Sequence, residues 1–220
     1  MKKLLAPTLL PLLLLSFHLG FSQDFSKWEK SIAAFETRDK EIKPPKDCLL
    51  FVGSSSIRMW DLEESWPGQP VVNNGFGGST LADSIHFFDR IIAPYQPKAV
   101  IIYAGDNDIK KGLSAEETLK DFETLSGKIR ETFPGAQVLY IAIKPSQSRW
   151  EIWPEMKKAN DLIAQECAEE KKLTFVDIAA PMLKDAEGAP DAKWFVEDGL
   201  HLSKFGYQAW TAAVNEALPE

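Results

Sequence analysis

Apolar runs and amphipathic stretches alternate along most of this chain. Cys48 to Val52 is apolar throughout and stops at Gly53, Ala99 to Ala104 has the same form, and Gln137 to Ile143 and Leu173 to Ile178 add two predominantly apolar runs. Such runs, without in-and-out alternation, suit strands buried on both faces. Val71-Val72 makes a weaker strand between the first two. Other apolar residues recur at helical spacing: Leu81, Ile85, Phe88 and Ile92; Leu119, Phe122, Leu125 and Ile129, stopped by Pro134-Gly135; Met156, Ala159, Ile163 and Cys167, after Pro154; and Tyr207, Trp210, Val214 and Leu218. Each set predicts an amphipathic helix. Residues 26–42 predict one more before the first strand, with Trp28, Ile32 and Phe35 on one side and Pro44-Pro45 as the stop.

This alternation predicts an α/β fold: a single-domain three-layer α/β/α sandwich around a five-stranded parallel sheet, with right-handed crossovers and the flavodoxin-like strand order 2-1-3-4-5. Three segments are expected. Residues 1–22 read as a signal peptide, 23–45 as an N-terminal helix and linker, and 46–220 as the main domain. The leader begins with Lys2 and Lys3, continues through the apolar stretch Leu9 to Leu19, and offers Gly20-Phe21-Ser22 for cleavage before Gln23. Its apolar run is short for a bilayer span and contains Pro11, and no cysteine lies near the cleavage point, so no stable membrane anchor is expected. The expected location is secreted or periplasmic.

The net charge of −7 becomes −9 once Lys2 and Lys3 leave with the leader. An acidic chain without a basic stripe argues against nucleic acid as a partner. Cys48 opens an apolar strand and Cys167 lies on a predicted helix, which favours buried free thiols over a disulfide.

Four polar clusters fall where strands end, and in an open parallel sheet ligands bind beyond those ends. Gly53-Ser54-Ser55-Ser56 follows the first strand, where a serine can serve as nucleophile or as helix cap. Asn73-Asn74-Gly75-Phe76-Gly77-Gly78 follows the second; its glycines permit a tight turn and a close backbone approach to a ligand. Neither a dinucleotide-binding glycine pattern nor a P-loop is present. Gly105-Asp106-Asn107-Asp108 follows the third, where Asn107 can donate to an oxyanion, and where a plain turn or a cation site on Asp106 and Asp108 are the competing readings. Asp198-Gly199-Leu200-His201 precedes the last helix, and three-residue spacing lets the carboxylate orient the imidazole. His86, inside an amphipathic helix, reads as an ordinary structural histidine.

Together, in this order, the four clusters resemble the SGNH hydrolases, also called GDSL esterases and lipases, from about Leu49 to Val214. Within that family the stretch Val71 to Thr80 and the ending Gly199-Leu200-His201-Leu202-Ser203 are most similar to the branch that contains platelet-activating-factor acetylhydrolase catalytic subunits and bacterial secreted esterases. The resemblance implies Ser55 as nucleophile, His201 as base and Asp198 as its orienter, with an oxyanion hole from Ser55, Gly78 and Asn107. Trp60, five residues beyond Ser55, fits the family pattern. Ser54 departs from it, standing where the family usually carries aspartate, and leaves the register among Ser54, Ser55 and Ser56 open.

The expected activity is therefore hydrolysis of short acyl esters, acetyl above all, on small molecules or glycans, with no metal or organic cofactor. Arg149 and Trp150, in the loop Lys144 to Trp153, are candidates for substrate binding, although these tryptophans can equally pack against the sheet edge. Two alternatives stand beside this: a lysophospholipase or thioesterase, and a catalytically silent glycan-binding protein on the same fold.

Overall fold

The computed structural model describes residues 24–218, so the leader expected at 1–22 lies outside the described residues. The five strands are β1 Lys46–Gly53, β2 Val71–Gly75, β3 Gln96–Tyr103, β4 Gln137–Ile141 and β5 Leu173–Val176. They form one sheet in the order β2-β1-β3-β4-β5, and every neighbouring pair is parallel. This is the flavodoxin-like order expected from the sequence, with helices layered on both faces.

β1 and β3 pair at the centre, Leu49 opposite Ala99 through Gly53 opposite Tyr103, and from Leu49 to Val52 and from Ala99 to Tyr103 every residue is buried. The helices Leu81–His86, Ala115–Thr132 and Trp153–Glu169 pack against one another in chain order, as right-handed crossovers between β2, β3, β4 and β5 require. On the opposite face, Trp60, Tyr207 and Trp210 form an aromatic cluster with Phe51 and Trp66, which joins the C-terminal helix Lys204–Ala217 to the turn after β1. The N-terminal helix Glu29–Glu41 is tied to β2 by Arg38, which donates to the Asn73 carbonyl at 2.9 Å and the Asn74 side chain at 2.8 Å. Among the described residues no helix is long and apolar enough to cross a membrane. Cys48 and Cys167 are buried free thiols, and burial pushes them up to about 11 and about 12.

Two elements differ from expectation. β2 continues past Val72 through Asn73, Asn74 and Gly75, because pairing with Phe51, Val52 and Gly53 overrides the poor strand propensity of those residues. The helix expected from Leu81 to Ile92 breaks at Phe87 into Leu81–His86 and Phe88–Ile91. Phe87, at φ −90° and ψ 10°, leaves the helical region and caps the first piece, and both it and Phe88 are buried.

Candidate active site

β1 can end where it does only because residue 53 is glycine. Its φ is +131°, and an added Cβ would lie 1.9 Å from the Tyr103 carbonyl oxygen. The chain therefore presses against β3 before turning, and Ser54 donates its N–H to that same carbonyl at 3.0 Å. The turn separates the three serines. Ser54 is fully buried, and Ser56 accepts from Lys144 Nζ at 3.3 Å. Ser55 opens the short helix Ser55–Arg58 and places its Oγ 3.0 Å from His201 Nε2.

His201 arrives from the other end of the sequence on a structured turn. Val196 donates to the His201 carbonyl at 2.9 Å, and Phe195 bridges to Leu202. Asp198 Oδ1 accepts the N–H groups of Leu200 and His201, each at 2.9 Å, while Oδ2 lies 2.6 Å from His201 Nδ1. A carboxylate only accepts, so Nδ1 carries the proton and Nε2 presents its lone pair to the Ser55 hydroxyl. Burial pushes the Asp198 carboxyl up, but the bonds from the His201 ring and from the two N–H groups outweigh it and hold the group down at about 2. The imidazole therefore keeps an ionised partner through the whole working pH range.

The loops after β2 and β3 supply hydrogen-bond donors. Gly78 has a φ of +74°, the left-handed region that glycine enters without strain. Among the described residues, no acceptor takes the N–H of Gly78 or of Ser55. Asn107 Nδ2 donates to the Ser79 carbonyl at 3.0 Å, which sets the side-chain donor beside the Gly78 loop. Asp108 ties the two loops together by accepting from the N–H groups of Leu81 and Gly105, each at 2.9 Å. Burial pushes Asp108 up to about 7 despite those bonds.

The competing reading of Asp106 and Asp108 as a cation site has no further ligands: among the described residues no group of three or more His, Cys, Asp or Glu could hold a metal. Asp106 instead faces two cations, Arg149 Nη1 at 3.2 Å and Lys144 Nζ at 3.5 Å. Lys144 is fully buried, also donates to the Tyr103 hydroxyl at 2.9 Å, and is held below the usual lysine range by burial.

Sequence reasoning did not find Lys144. Its signal was a single lysine placed directly after an apolar strand and before Pro145. Arg149 donates through Nη2 to Asn107 Oδ1 at 3.0 Å. Trp150 is half-buried and stacks on Trp153, with ring centroids 6.3 Å apart, and among the described residues no ring contact joins it to the His201 imidazole. His86 stacks on Phe25 with centroids 3.7 Å apart, in keeping with a structural role.

Residues 56–209 match the GDSL-like Lipase/Acylhydrolase family. Solved structures share the fold. A protein from Streptococcus pneumonia described as a platelet activating factor is 21% identical, with a TM-score of 0.77 over 88% of this chain and 94% of its own. A GDSL-like lipase from Bacteroides thetaiotaomicron is 19% identical, with a TM-score of 0.73 over 88% and 98%. An acetyl-xylooligosaccharide esterase variant from Geobacillus is 20% identical, with a TM-score of 0.62 over 80% and 95%. No curated protein matched the chain.

Proposed function

The chain belongs to the GDSL-like lipase/acylhydrolase family, and on that premise we propose a serine esterase that works through Ser55, His201 and Asp198. The single observation that carries the reading is the line from Ser55 Oγ to His201 Nε2 at 3.0 Å and on from Nδ1 to Asp198 at 2.6 Å. Ser55 Oγ attacks the ester carbonyl while His201 Nε2 takes its proton, and Asp198 stabilises the imidazolium that forms. The negative oxygen of the tetrahedral intermediate is met by the N–H groups of Ser55 and Gly78 and by the Asn107 amide. His201 then protonates the leaving alcohol, and a water molecule, activated by the same imidazole, releases the acid and restores Ser55.

The proposed substrates carry short acyl groups, acetyl foremost, on small molecules or carbohydrates. The half-buried Trp150 stacked on Trp153 offers an aromatic surface of the kind sugars use. A similar fold carries an acetyl-xylooligosaccharide esterase. Residues 1–22 are proposed to direct export, since their basic start, apolar centre and small-residue end match what a signal peptidase reads.

Ser55→Ala should lower kcat for a small aryl acetate by on the order of 10⁶ while the circular dichroism spectrum is retained. Activity surviving that change overturns the assignment. Acetylated sugars assayed beside long-chain and lysophospholipid esters identify the acyl class, and preference for the long chains would replace the carbohydrate reading with the lipid one.

A further inference from the structure

An asparagine in an oxyanion hole has a right and a wrong way round. Its terminal torsion is soft, and a half-turn would aim Oδ1 rather than Nδ2 at the developing negative charge. Two contacts forbid that turn here. Arg149 Nη2 can only donate, and it sits 3.0 Å from Asn107 Oδ1. The Ser79 carbonyl can only accept, and it sits 3.0 Å from Nδ2. The second Nδ2 hydrogen has no acceptor among the described residues, which leaves it for a ligand.

We infer that Arg149 is a positioning residue for Asn107, aimed by a buried Asp106–Lys144 brace, and that it acts on the rate through the amide rather than by gripping substrate. The inference rests on the esterase reading above. Arg149 Nη1 lies 3.2 Å from Asp106, the residue immediately before Asn107, so one planar fork spans both neighbours. Lys144 reaches Asp106 at 3.5 Å and Ser56, the neighbour of Ser55, at 3.3 Å. A single series of contacts thus runs from beside the nucleophile to the amide donor. The guanidinium bond to Oδ1 draws electron density from the amide, which makes Nδ2–H a stronger donor. The Arg149 side chain is only 14% exposed, with Nη2 bonded to Asn107 and Nη1 buried beside Asp106 in an ion pair without a hydrogen bond, the wrong posture for clamping an anion in the cleft.

A double-mutant cycle on a small neutral aryl acetate tests this, using Arg149→Met, Arg149→Lys, Asn107→Ala and the Arg149→Met/Asn107→Ala pair. Asn107→Ala should lower kcat by on the order of 10²–10³ with little change in KM. Arg149→Met should lower kcat by about tenfold, mid-range for residues in direct contact, and that loss should vanish in the Asn107→Ala background. Arg149→Lys keeps a cation beside Asp106, and so keeps the fold, but cannot serve two partners in one plane; it should fall between wild type and Arg149→Met.

Multiplying losses in the double variant overturn the inference. So does a loss confined to KM that depends on the charge of the ester, or wild-type kcat in Arg149→Lys. If Arg149→Met does not fold, the cycle is run with Arg149→Lys and read by the same criteria. Failure of the esterase reading looks different: Ser55→Ala would stay active, and no member of the cycle would change the rate.

Discussion

The two halves of the candidate site live in different solvents. Asp198 is 47% exposed and His201 22% exposed, on a turn at the edge of the molecule. Across the cleft, Asn107 is 8% exposed and Lys144 1%, with Asp106 between them almost as deeply buried. On the proposed mechanism, the half that would exchange protons with alcohol and water faces water. The half that would meet the developing negative charge is dry, where a hydrogen bond or a cation is worth several times more. The difference also predicts where each half can be altered without loss of the fold.

The largest effect should come from the wet side. Asp198→Asn preserves the shape but no longer fixes the Nδ1–H tautomer, and kcat should drop by on the order of 10⁴. Because the group lies at the surface, the thermal midpoint should move by no more than about 2 °C, measured by differential scanning calorimetry. A large loss of stability would erase the contrast between the halves.

On the dry side the order reverses, with stability lost first. Lys144→Met removes one of two cations from the buried Asp106 and should cost about 3 kcal/mol in urea unfolding, at the low end for a broken buried pair because Arg149 remains. A cost near zero would mean that the Asp106–Lys144 pair contributes no net stability.

The remaining expected effect is a slope. The buried Asp108 carboxyl, raised from an ordinary 3.8 to about 7, binds a proton more readily in the fold than in the unfolded chain. Its contribution to stability is therefore complete below about 4 and is lost as the pH rises to about 7. Urea unfolding of the wild type between those values should include this downward component, and Asp108→Asn should remove it. An unchanged pH slope in that variant would place the proton elsewhere.

The contrast also explains what could be read from the sequence. Strand order followed from buried apolar runs such as Ala99 to Ala104, and the meeting of Ser55 with His201 from polar clusters at strand ends, since topology alone gathers those ends. The register among Ser54, Ser55 and Ser56 could not be read, because it is decided by the close approach of Gly53 to Tyr103, a contact between strands 50 residues apart in sequence. The break at Phe87 was hidden because the spacing of Leu81, Ile85, Phe88 and Ile92 stays helical across it. The contacts of Arg149 were hidden for a further reason: an arginine in a loop looks the same whether it faces solvent or a buried carboxylate, and only the neighbouring Lys144 hinted at a polar interior there. Both tryptophan readings were open in the sequence, and the stacking of the half-buried Trp150 on Trp153 is compatible with either.

Asp108 holds the backbone of two loops with one carboxylate, through Leu81 on one side and Gly105 on the other. The span between the Gly78 and Asn107 donors is thereby riveted, and neither loop can slide without the other. Any redesign of this protein to admit a bulkier acyl group would have to leave that gauge alone and carve room at the rim instead, where Trp28 abuts Gly78 or where the Lys144-to-Trp153 segment crosses the cleft.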